Sequence, residues 1–114
     1  MIRTKRIYDK PARNDGVRVL IDRLWPRGVS KAVAQVDLWL KAIAPSDERR
    51  KWFDHDPRRW DQFRQRYAKE LARWKDVVVP VVEYLERDHG VVTLLYAAKD
   101  EEHNNAAVLR DYLR

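Results

Sequence analysis

At 114 residues without a cysteine, the chain has the length of a single domain and offers no disulfide, thiol nucleophile or thiolate metal site. Its 24 basic and 18 acidic residues leave a net charge of +6, which favours an anionic partner: a small anionic ligand first, nucleic acid second. Residues 1–10 are charged and no apolar run reaches the roughly 18 residues of a membrane span, so composition predicts a cytoplasmic protein with no membrane segment.

Residues 2–8 (IRTKRIY) read as a short charged strand at a sheet edge, where Lys5 and Arg6 oppose pairing with another chain. Residues 9–16 contain Pro11 and end in Asn-Asp-Gly, the chemistry of a turn. Residues 17–21 (VRVLI) are rich in β-branched side chains and predict a strand. Residues 22–28 (DRLWPRG) leave that strand as a loop. Pro26 favours extended backbone before it, and Gly28 permits an angle that other residues resist. Residues 30–45 fit two patterns. Val36, Leu38 and Leu40 alternate as in a strand, whereas Val33, Val36, Leu40 and Ile43 keep helical spacing. The expectation is a helical turn capped by Ser30, followed by extended chain.

Ser46 is positioned to cap a helix reaching Phe53, with Asp47 and Glu48 at its positive end and Trp52 and Phe53 facing inward. Residues 54–57 (DHDP) break it, and Asp56 with Pro57 opens the next helix. Trp60, Phe63, Tyr67, Leu71 and Trp74 follow at steps of three and four, an apolar stripe. Residues 76–87 predict another helix, capped by Asp76 so that Pro80 falls in the first turn, although the Val-rich start also allows a strand. Residues 91–97 (VVTLLYA) are the nearly unbroken apolar run of a strand buried on both faces of a parallel sheet. The last helix is expected from Asp100, with that residue as cap and Glu101 and Glu102 beside the positive end. Strands separated by helices predict one α/β domain over residues 1–114. It is a small open sheet with at least two parallel strands and helices packed on its faces.

In open α/β sheets, ligands sit beyond the carboxyl ends of the strands. Residues 22–28 and 99–105 leave such ends, and the expectation is that the two loops meet in one site. Arg23 and Arg27 flank Trp25, a pattern that suits a bidentate grip on phosphate or carboxylate over an aromatic floor. The alternative is that Arg23 pairs with a nearby acid and Trp25 fills the core. Asp22 has the chemistry of a general base, a metal ligand or a partner for Lys99, or else of a strand-end salt bridge. His103 carries protons near neutral pH, so Asp22 and His103 are the candidate catalytic pair. Lys99 and Asn104 are candidate ligand contacts, with Arg66 and Tyr67 closing one wall. Acids at the expected start of the last helix would make this a mixed-charge pocket rather than a plain phosphate cradle.

His55, His103, Asp22 and Asp100 have the donor types of a divalent-metal site, but their spacing matches no ligand motif. No metal is expected on that ground, and the residues name no cofactor. Arg58, Arg59, Arg64 and Arg66, interleaved with Trp60 and Tyr67, carry the alternative of a nucleic-acid face. The aromatics of that segment fall on its buried stripe, so a solvated helix face also accounts for the arginines. No Walker loop, GxGxxG, GxSxG or HExxH motif is present, and the reaction class, if there is a reaction, is not written in the motifs.

DRLWPRG (22–28), WFDHDP (52–57), the Arg66-Tyr67 pair and LLYAAKDEEHNNA (94–106) together resemble the YeaO-like proteins. These are small bacterial proteins classed as a domain of unknown function, and the resemblance spans nearly the whole chain. It implies a compact α/β domain. It brings no activity and no catalytic residues with it.

Overall fold

In the computed structural model, which describes Met1–Arg114, four parallel strands form one sheet in the order β1-β4-β2-β3. They are β1 (Ile2–Arg6), β2 (Val17–Leu20), β3 (Leu38–Trp39) and β4 (Val92–Tyr96). The helices are α1 (Lys31–Ala34), α2 (Asp47–Phe53), α3 (Trp60–Ala72), α4 (Lys75–His89) and α5 (Asn105–Leu113). The central strand β4 pairs Ile2 with Val92 on one side and Val17 with Val92 on the other. Every residue of β4 is buried, as its apolar run predicts. The charged strand β1 lies at one edge and the two-residue β3 at the other.

Alternation along the strands divides the interior into two layers. Val17, Val19 and Ile21 join Val92, Leu94 and Tyr96 under α2, α3, α4 and α5 in the main core, with Phe53, Phe63, Tyr67, Leu71, Val78 and Val82. Leu20 and Leu95 point the other way, into a smaller cluster with Ile7 and Ala34. Trp25, Val29 and Trp39 cover that cluster. Truncating a fully buried leucine such as Leu94 to alanine is worth about 2–5 kcal/mol.

The second face of β2 also holds Arg18, a buried charge inside an otherwise apolar strand. Its guanidinium donates to Asp15 Oδ2 at 2.6 Å and to the Ala34 carbonyl at 2.7 Å. Lys5 Nζ lies 3.1 Å from both Asp15 oxygens, and the Ala12 N–H donates to Oδ2 at 2.9 Å. Burial pushes the Asp15 carboxyl up, but the Ala12 N–H, Lys5 and Arg18 outweigh it and leave its pKa below the ordinary value. Gly16 follows at φ +63°, where an added Cβ would stand 2.1 Å from the Val91 carbonyl oxygen. Only glycine allows β2 and the chain entering β4 to approach so closely.

Three expected helix details are corrected. The last helix starts at Asn105, not near Asp100. Asn104 is its cap, accepting from the Ala107 N–H at 2.9 Å. Asp100 instead closes a turn of its own, accepting the N–H groups of Glu102 and His103, each at 2.9 Å. A short acid can bind the backbone just after it without a helix, so capping chemistry alone did not say which residue starts the helix. The helix expected from Asp76 begins at Lys75 after Trp74, and no side chain caps it. Pro80 therefore lies inside α4, beyond its first turn. Its missing N–H removes one backbone bond to Asp76, at an exposed position where the ring meets solvent. Trp74 ends the expected stripe but is 45% exposed, because the chain has already turned into α4.

No helix is long and apolar enough to cross a membrane.

Candidate functional site

The loops after β2 and β4 meet beyond the strand ends, and Asp22 ties them together. Its Oδ2 accepts from the Ala97 N–H at 2.9 Å, and its Oδ1 accepts from Asn105 Nδ2 at 2.9 Å. Asn105 Nδ2 also donates to the Ile21 carbonyl, and Trp39 Nε1 donates to that of Asp22 at 2.7 Å. One carboxylate thus joins the ends of β2 and β4 to the first turn of α5. Burial pushes the Asp22 carboxyl above its ordinary value, against the pull of Asn105, the Ala97 N–H, His55 and Arg50.

Other bonds hold the rim. Arg6 donates from Nε to the Ala98 carbonyl at 2.8 Å, fixing the chain after β4. Tyr8 Oη donates to the Arg27 carbonyl at 2.9 Å, joining the chain after β1 to the loop after β2. Arg23 donates to the carbonyls of Pro45 and Ala44 at 3.1 and 3.2 Å, so its guanidinium is largely occupied. Trp25 packs edge-on against Trp39 and donates to the Val29 carbonyl at 2.6 Å. Gly28 takes φ +74° in open space, so its backbone angle, and not crowding, calls for glycine.

Between these loops lies a cleft of about 700 Å³. Asp22, Arg23, Trp25, Arg27, Lys99 and Asn104 all line it. Arg27 and Lys99 are exposed, and neither side chain makes a hydrogen bond or ion pair with the protein. Asn104 contributes little free chemistry. It is 1% exposed, its Oδ1 caps α5, and its Nδ2 donates to the Asp100 carbonyl at 2.9 Å.

The other expected residues lie elsewhere. His103 is not part of the lining. Its Nδ1 is 2.9 Å from Asp100 Oδ2, and its ring stands edge-on to Trp60 at 5.0 Å between centroids. Tyr67 is fully buried, and its hydroxyl donates to the Ile43 carbonyl at 2.6 Å. Burial pushes that hydroxyl's pKa well up, and the side chain is not part of the cleft. Arg66 lies over the Trp52 ring at 4.4 Å, outside the cleft. Asp22 and His103 are therefore not brought together across the cleft. No group of three or more His, Asp or Glu side chains is gathered as a metal-ligand set.

The cleft also takes in residues that sequence reasoning did not assign to it. Leu24 supplies exposed apolar lining, with Pro45, Phe53 and Phe63 buried behind the cleft wall, and Arg50 and His55 supply ionisable groups. WFDHDP brings His55 there through the turn that follows α2, but the motif by itself does not say which way that turn points. Asn105, at the end of the second polar loop, is the partner of Asp22.

The family model for the "Inactive DUF488-N3 subclade" matches residues 1–114. The chain is 41% identical over 113 residues to "Uncharacterized protein YeaO" of Escherichia coli, covering 99% of this chain and 96% of that protein. It is 38% identical over 112 residues to "Uncharacterized protein Mb3100c" of Mycobacterium bovis and to "Uncharacterized protein Rv3073c" of Mycobacterium tuberculosis. Each of those matches covers 98% of this chain and 92% of the relative. No solved structure matches the chain at a significant level. The motifs around the cleft, the α/β fold and the full-length matches agree: the chain belongs to the YeaO-like family, the inactive DUF488-N3 subclade, a family of unknown function.

Proposed function

We propose that this single α/β domain binds a small organic anion, bearing phosphate or carboxylate, in the cleft beyond β2 and β4, and does not turn it over. The observation that carries this is the pair Arg27 and Lys99, two cations without protein partners at one cleft. A charge with no internal partner, held at a concave site, is available for a ligand. Leu24 is 58% exposed at the same cleft, and this apolar surface favours a ligand with an apolar body over a bare inorganic ion. Binding without catalysis is supported by two features. Asp22 and His103 do not share the cleft, and the family description calls the subclade inactive. The same proposal places the protein in the cytoplasm, where charged metabolites that cross apolar membranes poorly are retained.

The arginines in α3 and in the turn before it support nucleic-acid binding less well. Arg58 pairs with Asp56, Arg64 with Asp61, and Arg59 and Arg66 flank Trp52. These contacts satisfy much of that charge locally.

The test is a thermal-shift and calorimetric screen of aryl and alkyl phosphates and carboxylates against the wild type, Arg27→Ala and Lys99→Ala. Binding by the wild type, weakened at least tenfold in either variant, is expected, since a charge-assisted contact is worth about 1.5–3 kcal/mol. A panel that leaves the wild-type melting point unmoved, or binds both variants as well as the wild type, overturns the proposal.

A further inference from the structure

Asp54 and His55 both take left-handed backbone angles, at φ +45° and +53°. The Asp56 N–H donates back to the Phe53 carbonyl at 2.9 Å, closing a four-residue turn in which both central residues are left-handed. Gly, Asn and Asp dominate such turns. Asp54 has a local reason for its angle, since it ends α2 with its N–H donating to the Arg50 carbonyl at 3.1 Å. His55 has none. It is exposed, its imidazole has no hydrogen bond, and its ring stands 6.0 Å from Phe53 at the cleft. The turn thus brings a free imidazole to the cleft where Asp22, Arg27 and Lys99 lie.

The opposite case is His103, which is bound to Asp100 and covered on one side by Trp60. Both histidines carry the same chemistry, but only His55 is available to a ligand in the cleft.

We propose that His55 is the titratable contact for the anion, so that ligand binding takes up a proton. This rests on the cleft being an anion site. An imidazole changes charge between about pH 5 and 8, and a cation added beside Arg27 and Lys99 strengthens the hold on a negative group. The ionisable surroundings are Asp22 and Arg23 from the end of β2, Arg27 from the following loop and Arg50 from α2. Lys99 and Asp100 approach from the loop after β4, and Asp54 and Asp56 flank His55 in its own turn. Asp22 ionises in the same direction: as pH rises it becomes negative and also repels an anion. The test must therefore separate the two groups.

Phenyl sulfate is the probe, because its single negative charge is fixed across this range, whereas a phosphate monoester itself titrates near pH 6. Calorimetry from pH 5.5 to 8, in buffers of different ionisation enthalpy, reads both affinity and protons taken up. The wild type is expected to bind about tenfold more weakly at pH 8 and to take up a fraction of a proton near neutrality. His55→Asn keeps a residue that tolerates the left-handed angle and removes the charge. It is expected to bind at pH 5.5 nearly as weakly as the wild type does at pH 8, keeping only the small slope that Asp22 contributes, with the His55-linked proton uptake gone. His55→Gly supplies the same comparison if the asparagine variant is poorly folded. His103→Asn is expected to keep the wild-type slope.

A wild-type affinity independent of pH, or a slope that survives in His55→Asn and disappears in Asp22→Asn or His103→Asn, overturns the assignment to His55 while leaving the anion site standing. Failure of phenyl sulfate and phenyl phosphate to bind at any pH removes the anion site and this inference with it.

Discussion

Two clusters of charge sit at opposite ends of the same strands, and they are built differently. At the amino ends of β2 and β4, Asp15 and Arg18 form a closed set with the Lys5 ammonium, which reaches across from β1. Arg18 is 4% exposed, and all its donor nitrogens find Asp15 or the Ala34 and Gln35 carbonyls. Thr93 Oγ1 seals the set by donating to the Asp15 carbonyl at 2.6 Å. At the carboxyl ends, Asp22 is likewise bonded on both oxygens, but Arg27, Lys99 and His55 around it have no protein partner. Buried charges that satisfy one another hold the fold. Charges left open at a concave site are available to bind something else.

Substitutions that treat the two ends alike would break this contrast. The largest effect is expected from Arg18→Ala, which leaves Asp15 buried with Lys5 as its one remaining cation and the Ala12 N–H as its other partner. A loss of about 3–5 kcal/mol is expected in urea unfolding. A cost below about 1 kcal/mol would mean that the amino-end cluster is no more structural than a surface pair.

Asn104→Ala comes next, since it removes the cap of α5 and the bond to the Asp100 carbonyl. The expected cost is about 1–2 kcal/mol, read by the same unfolding curves. A neutral result would reopen Asn104 as a residue kept for ligand contact.

The two aspartates make opposite predictions for pH. The Asp15 carboxyl sits below its ordinary value when folded, so its contribution is present above about pH 3.9 and is lost as pH falls through the folded value. The Asp22 carboxyl sits above its ordinary value, so its contribution is full below about pH 3.9 and is lost as pH rises through the folded value. Stability measured from pH 3 to 7 should therefore lose part of its acid limb in Asp15→Asn. In Asp22→Asn it should lose part of its decline towards neutrality. The same sign of change in both variants would contradict the contrast.

The smallest effect is expected from Arg27→Ala and Lys99→Ala, each within about 0.5 kcal/mol of the wild type. A larger loss would show that these cations have partners in solution and are not open to a ligand.

Most of the elements could be read from the chain because their cues are local. Unbroken apolarity marked β4, spacing of three and four marked α3, and Ser46 marked the start of α2, whereas Asp56 caps a short 3-10 turn, Pro57–Arg59, that leads into α3. The convergence of the two loops also followed from a general property of parallel sheets, since their strand ends share one edge. The cues misled where one residue type serves two geometries. Asp100 closes a turn and Asn104 caps the helix, although either has the chemistry for both tasks. Tyr67 could be placed on an apolar stripe, but the destination of its hydroxyl, the Ile43 carbonyl, lies in a distant segment.

Sequence alone thus determined the α/β class, the family and the two polar loops, because periodicity, turn chemistry and motif are properties of neighbouring residues. Only tertiary structure decided which side chains in those loops remain free. Arg23 is drawn to the Ala44 and Pro45 carbonyls, and His103 to Asp100, whereas Arg27 and Lys99 are left open. His55 enters the cleft through a left-handed turn whose direction depends on how α2 and α3 pack. Whether a polar group is satisfied depends on what folds against it, and here those partners include residues more than 80 positions away in the chain, as with Asn105 and Asp22.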